Sequence, residues 1–158
     1  MKIYIVDNDE SMLDILEELL SDMMEESDIQ RNEISKNPYR KDDADTLLEY
    51  LQSEVGEDDY LLIDLYLKET SEKGRPFSEF ESVKIAGSLK IKPSHILIYS
   101  TANSRGTEEL LGIHAQWRYI PVPIMAFEEN VLDEEDGFTN MRRDCRLLFK
   151  MFFDNTLK

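Results

Sequence analysis

The most informative segment of this chain is Asp59-Tyr60-Leu61-Leu62-Ile63-Asp64-Leu65-Tyr66-Leu67. Apolar residues that suit a buried parallel strand lead up to Asp64, an acidic residue that a protein interior normally excludes. We therefore expect Asp64 to lie at the carboxyl end of a strand, where the sheet meets solvent.

A second strand of the same design lies near the start of the chain. The apolar run Lys2-Ile3-Tyr4-Ile5-Val6 leads into the acidic segment Asp7-Asn8-Asp9-Glu10. In open α/β sheets, ligands bind outside the carboxyl ends of the strands. Two acidic strand ends therefore predict a pocket for a divalent metal ion.

Composition limits the classes of function. The chain has 158 residues, which is enough for one compact core and short for two, so we expect a single domain over 1–158. With 34 acidic and 18 basic residues the formal net charge is -16, which opposes binding to nucleic acid or to an anionic membrane surface. Proteins or cations are the expected partners.

The sequence also predicts where the protein is found. A single cysteine, Cys145, excludes an intramolecular disulfide framework, and the chain enters a strand directly instead of a signal sequence. No apolar run reaches the roughly 20 residues of a membrane-spanning helix. We therefore expect a soluble, cytoplasmic protein.

Helix and strand patterns alternate along the chain. Helical spacing predicts helices over 11–26, capped by Ser11, and over 45–55, 77–89, 107–116 and 138–155. Strand patterns lie at 2–6, weakly at 30–35, in the run that ends at Asp64, at 96–100 and at 117–122, where Pro123 closes the last one. Residues 68–76 predict a mobile loop, and 123–137 predict a long acidic connection. This alternation predicts a five-stranded parallel sheet with helices on both faces, a three-layer α/β sandwich.

Three strand ends carry polar groups in chain order: Asp7-Asn8, then Asp64, then Ser100-Thr101-Ala102. This order and spacing resemble the receiver domain of two-component response regulators, a flavodoxin-like (βα)5 fold, over nearly the whole chain. In that family an acidic pair after the first strand helps to bind Mg²⁺, and an aspartate ending the third strand accepts a phosphoryl group. A Ser or Thr ends the fourth strand and Lys-Pro ends the fifth.

The resemblance implies a role for each matching residue. Asp64 would accept the phosphoryl group, because a carboxylate can act as a nucleophile while Mg²⁺ offsets charge on the phosphoryl oxygens. The implied Mg²⁺ ligands are Asp7, Asn8, Asp64 and the backbone carbonyl of Tyr66. Asn8 replaces an acid of the family, and Asp9, a further candidate ligand, or Glu10 would restore the charge if the loop turns differently.

The last two predicted strands carry the remaining implied roles. Ser100 or Thr101 would contact the phosphoryl group. Ser100 fits slightly better, because counting onward from it to the end of the next strand reaches Val122-Pro123, where the family has Lys-Pro. Tyr119 would be the aromatic switch residue, and Val122 stands where the family has lysine. Because valine carries no charge, both transition-state stabilisation and signal coupling should suffer.

These matches predict a stand-alone receiver-like signalling module of the phosphorelay type. It is either phosphorylated on Asp64 or a degenerate pseudo-receiver that acts by protein contact. The expected partner is a histidine kinase or another signalling protein. Enzyme activity, if present, would be limited to its own phosphorylation and dephosphorylation.

Two other functions fit parts of the sequence. Asp7-Asn8-Asp9-Glu10-Ser11 also resembles the opening motif of haloacid dehalogenase-like phosphatases, with Asp7 as the nucleophile and Asp9 as the acid/base. That alternative leaves Asp64 unexplained. A structural adaptor with a vestigial acidic pocket is the third possibility. Asp9 and Glu10 also suit the positive end of a helix dipole without any ligand.

The C-terminal helix has more apolar residues than one packed face needs. Phe138, Met141, Cys145, Leu148 and Phe152 form a face for the sheet, and Leu147, Phe149, Met151 and Phe153 lie on the remaining circumference. This second group either packs beneath 123–137 or forms an exposed interface. We expect a homodimer or partner surface through Leu147 and Met151.

Overall fold

A computed structural model describes residues 1–68, 76–100, 124–126 and 146–155 of the chain. Four parallel strands form the centre of the fold: β1 (Lys2–Asp7), β2 (Glu33–Pro38), β3 (Tyr60–Asp64) and β4 (Ile96–Ser100). They are ordered β2-β1-β3-β4, and the short segment β5 (Ile124–Ala126) pairs in parallel with β4. The predicted α/β class with a parallel sheet is confirmed.

Helices lie on both faces of this sheet. They are α1 (Glu10–Glu25), α2 (Ala44–Glu54), α3 (Glu81–Ser88) and α4 (146–153), with single 3₁₀ turns at Lys41–Asp43, Phe77–Glu79 and Pro93–His95. Alternation along β1 separates two cores, because Tyr4 and Val6 join the cluster that contains residues of α2 and α3, whereas Ile3 and Ile5 join the cluster that contains residues of α1 and α4. We call the second of these the α1/α4 face.

Two strand positions differ from the prediction. β2 begins at Glu33, not at Gln30, because its register is set by parallel pairing of Lys2 with Glu33 and of Asp7 with Pro38. The segment paired with β4 follows Pro123 and lies inside the predicted acidic connection, not before it. Proline lacks an N–H group and is tolerated at the start of a strand, so Pro123 does not have to end one.

Several predicted elements lie outside the described residues. They are most of the loop 68–76, the helix 107–116, the strand 117–122 with Tyr119 and Val122, and the first part of the C-terminal helix. Within the described residues, no helix is long and apolar enough to cross a membrane.

The helix α4 is anchored to the α1/α4 face by aromatic residues and by one arginine. Phe149 and Phe152 are buried in the cluster that α1 also covers, and Phe153 contacts the Tyr60 ring edge-on with centroids 4.8 Å apart. The Arg146 Nε donates a 2.7 Å hydrogen bond to Asp28 Oδ2, just beyond the end of α1. The helix is therefore held at both ends of its described length.

The sequence assigned Phe149 to the side of the helix away from the sheet, where it would be either covered by 123–137 or exposed, but the structure places it in the cluster of the α1/α4 face. Phe149 has no exposed surface, whereas Leu147 is 62% exposed and Met151 is partly buried. The apolar stripe of a helix in a globular protein is wider than the seam of a coiled coil. On α4 this stripe therefore includes Phe149, which is next to Leu148. Of the predicted interface residues, Leu147 keeps its exposed position.

We predict that Phe149→Ala destabilises the fold by about 3–5 kcal/mol, because it removes a fully buried aromatic side chain and leaves a cavity. Leu147→Ala, two positions away on the same helix, should stay within about 0.5 kcal/mol of the native chain. Urea unfolding followed by circular dichroism measures both. Equal losses in the two variants would contradict this placement of α4.

Candidate functional site

Three side chains at the carboxyl ends of adjacent strands form one row. Val6 pairs with Ile63, so Asp7 and Asp64 are the next residues of β1 and β3, and Asp64 pairs with Tyr99 of β4. The residues two positions earlier, Ile5, Leu62 and Leu97, all belong to the cluster of the α1/α4 face. Because side chains alternate along a strand, Asp7, Asp64 and Tyr99 project to that same face. We call these three residues the strand-end row.

The strand-end row is buried. Asp7 is 2% exposed, Asp64 is 8% exposed and Tyr99 has no exposed surface. Burial of a carboxylate is unfavourable unless hydrogen bonds or opposite charges compensate for the lost water. The row therefore depends on its local partners.

Both carboxylate oxygens of Asp7 accept a hydrogen bond from the protein. The Tyr99 hydroxyl donates to Asp7 Oδ2 at 2.5 Å, and the backbone N–H of Asp9 donates to Asp7 Oδ1 at 2.8 Å. The backbone carbonyl of Asp7 accepts a third hydrogen bond from the N–H of Tyr39, also at 2.8 Å. Asp7 is thus fixed by strand, loop and side-chain contacts together.

Burial changes the acidity of both ends of the row. Desolvation raises the pKa of Asp7 to about 6, although the hydrogen bonds from Tyr99 and from the Asp9 N–H act in the opposite direction. Desolvation, followed by the charges of Asp7 and Asp64, raises the pKa of Tyr99 well above its ordinary value. Tyr99 therefore remains protonated near neutral pH and serves as a hydrogen-bond donor.

Asp9 has a structural role at the start of α1. Its backbone is extended, and its Oδ1 accepts a 2.9 Å hydrogen bond from the N–H of Ser11. Asp9 is therefore the N-cap residue, and the prediction that Ser11 caps this helix is wrong. The carboxylate of Glu10, in the first turn, pairs with Arg40 at 2.5 Å. Asp9 and Glu10 therefore lie at the positive end of the α1 dipole, where acidic residues are favourable without any ligand.

The loops after β1 and β3 are tied together beside the row. The side-chain amide of Asn8 donates a 3.2 Å hydrogen bond to the carbonyl of Leu67, and the N–H of Tyr66 lies 3.5 Å from Asp64 Oδ1. The structure thus places Asn8 on the loop that contacts the segment containing Tyr66. Lys68, at the end of that segment, pairs with Glu81 of α3 at 3.2 Å.

Ser100 does not share a face with the other predicted site residues. It is buried, and it lies two positions after Ile98, whose cluster is the one on the opposite side of the sheet. Alternation therefore directs Ser100 away from the face that carries Tyr99 and Asp64. Thr101, the other candidate, lies outside the described residues.

The acidic residues of the predicted magnesium site already have partners within the protein. Mg²⁺ requires oxygen ligands in nearly octahedral geometry. In the described part of the chain, no three His, Cys, Asp or Glu side chains are grouped to hold a metal ion. Both oxygens of Asp7 accept protein hydrogen bonds, and Asp9 caps α1. The predicted Mg²⁺ site therefore remains a prediction.

Sequence reasoning did not identify Tyr99 as part of the site. The sequence does contain an indication of this role, because a tyrosine within an aliphatic strand needs a hydrogen-bond partner when it is buried. The identity of that partner depends on the order and register of three strands, which are not adjacent in sequence.

We predict that Asp7→Asn becomes more stable than the native chain as pH rises. A folded-state pKa of about 6 against an ordinary 3.8 means that native stability is lost as Asp7 ionises through this range. The advantage of the variant should grow by up to about 3 kcal/mol between pH 4 and pH 8. Urea unfolding in chelator-containing buffer measures it.

The control for this titration is Asp42→Asn, which replaces an exposed carboxylate. Its stability relative to the native chain should change with pH by less than half as much. A pH-independent difference for Asp7→Asn would contradict the burial of an ionising Asp7.

We predict that Asp9→Ala destabilises the fold by about 1 kcal/mol through loss of the N-cap, while Asp9→Ser retains most of the stability. Thermal unfolding with and without Mg²⁺ tests this difference. If both variants lose stability equally, and only in the presence of Mg²⁺, Asp9 is a metal ligand and not a cap.

Comparison with known proteins adds no assignment to this geometry. No family model matches the sequence, and neither a curated protein nor a solved structure is significantly similar to it. The case for a function therefore rests on the strand-end row and on the order of the strands that carry it.

Proposed function

We propose that this chain is a receiver-like signalling module that acts by protein contact, with an acidic pocket that no longer depends on phosphoryl transfer. The observation that carries the proposal is the strand-end row. It combines two carboxylates at adjacent strand ends with a tyrosine that holds one of them.

The order of the strands supports the receiver-like fold. The order β2-β1-β3-β4, with β5 beside β4, is that of the flavodoxin-like class. In this class the functional pocket lies at the carboxyl ends of β1 and β3, where the order reverses. Asp7 and Asp64 occupy those two ends, so the proposed fold and the proposed site support each other.

The chemistry of the row supports the degenerate form of such a module. An aspartyl acceptor needs an exposed nucleophilic carboxylate and a cation that offsets the phosphoryl charge. Asp64 is 8% exposed, Asn8 adds no charge, and Asp7 is engaged by Tyr99. In the sequence, Val122 further replaces the family lysine. All four features lower the capacity for phosphoryl transfer.

The charge of the chain indicates the kind of partner. A formal net charge of -16 favours a partner with a positively charged surface, because complementary charge accelerates association. A histidine kinase or another signalling protein with such a surface fits the proposal.

The phosphatase alternative receives no support from the site. It needs Asp9 as a free acid/base, but this carboxylate accepts the capping hydrogen bond of α1. It also needs Asp7 as a free nucleophile, and the Tyr99 hydroxyl occupies one of the two Asp7 oxygens.

We predict that the native chain, incubated with Mg²⁺ and acetyl phosphate, gains phosphoryl mass no faster than Asp64→Asn does. Intact-mass spectrometry over several hours measures this. Complete conversion of the native chain but not of Asp64→Asn would replace the degenerate module with an active receiver. Turnover of an aryl phosphate that is lost in Asp7→Asn but kept in Asp64→Asn would instead favour the phosphatase.

A further inference from the structure

Tyr99 reaches across an intervening strand to its partner. It lies on β4, Asp7 lies on β1, and β3 runs between them. Neighbouring strands are about 4.8 Å apart, so the Tyr99 side chain and its hydrogen bond to Asp7 together cover roughly two strand spacings, from β4 to β1. The position between the two ends belongs to Asp64, which pairs with Tyr99. The tyrosine side chain therefore crosses the space above β3 in which a cation shared by Asp7 and Asp64 would have to sit.

We propose that the Tyr99 side chain occupies the acidic pocket and thereby excludes divalent cations from Asp7 and Asp64. The inference deepens the proposed function, because it takes the strand-end row as the functional pocket and names the residue that sets its cation specificity. Tyr99 is a positioning residue in this account, since it acts on Asp7 and not on a substrate.

The hydroxyl and a cation compete for the same atom. The Tyr99 hydroxyl takes one acceptor position on Oδ2 at 2.5 Å and the Asp9 N–H takes one on Oδ1, so a divalent ion at Asp7 would have to share an oxygen with one of these donors. Hydrogen bonds to charged groups are roughly twice as strong as neutral ones. A cation placed beside the Tyr99 hydroxyl would weaken or displace such a bond inside a buried site.

Packing opposes the departure of Tyr99. The ring is fully buried and belongs to the same apolar cluster as Phe149 and Phe152 of α4. A rotation that frees Asp7 would therefore disturb the cluster beneath α4. The exclusion rests on two independent contributions, a hydrogen bond and a buried ring.

The test is Mg²⁺ binding by isothermal titration calorimetry at fixed pH, on the full chain. Tyr99→Phe keeps the ring and removes the hydroxyl, so it should bind Mg²⁺ at least about tenfold more tightly than the native chain. Tyr99→Leu, which removes the hydroxyl and shortens the side chain that crosses the cation's space, should show a gain at least as large. Circular dichroism checks that each variant is folded.

Tyr4→Phe is the matched control. Tyr4 is a buried tyrosine on β1, but it faces the opposite core and donates its hydroxyl to the carbonyl of Glu54 at 3.3 Å. Its loss should leave Mg²⁺ affinity unchanged. Adding Asp7→Asn to Tyr99→Phe should remove the gained affinity, which locates the ion at Asp7.

Two results would overturn the inference. One is equal Mg²⁺ affinity in the native chain and in both Tyr99 variants, whether tight or undetectable. The other is a gain of affinity in Tyr99→Phe that survives Asp7→Asn. Neither readout involves phosphoryl transfer or a protein partner, so a failure here is distinguishable from a failure of the proposed function.

Discussion

The hydrogen bond between the Tyr99 hydroxyl and Asp7 is the contact on which the proposed pocket depends. Two carboxylates end adjacent strands in a buried row, and a buried negative charge is tolerated only with partners. The tyrosine supplies a hydrogen-bond donor at the place where a metal-binding acidic pocket would hold a cation. Burial raises the pKa of Asp7 to about 6, and the hydrogen bond from Tyr99 acts in the opposite direction and favours the ionised carboxylate.

The strand-end row and the C-terminal helix share one apolar cluster. Tyr99 lies in the cluster that α1 and α4 cover, and Phe149 and Phe152 of α4 belong to that cluster. The exposed side of α4 carries Leu147. A partner bound to α4 would therefore contact a helix whose buried side chains belong to the same cluster as Tyr99. In the proposed module, this shared cluster would be the part of the fold that links a protein contact at α4 with the pocket.

The sequence predicted the central strands well, because β1, β3 and β4 are apolar runs that end in polar groups, and this pattern is local. It misplaced β2, whose partly exposed edge position carries few apolar residues and whose register is chosen by β1. It placed Asp7 and Asp64 at strand ends but assigned the α1 cap to Ser11, because several neighbouring residues can cap and only geometry distinguishes them. The partnership of Asp7 with Tyr99, 92 positions apart, depends on pairing among three strands that no local pattern encodes.

The most direct test of cation exclusion by Tyr99 is a crystal structure of the native chain grown in saturating Mg²⁺. We expect the Tyr99 hydroxyl to stay within hydrogen-bonding distance of Asp7 Oδ2, close to 2.5 Å, with no ion between Asp7 and Asp64. An octahedral ion bound to both carboxylates, with the Tyr99 ring rotated away, would contradict it.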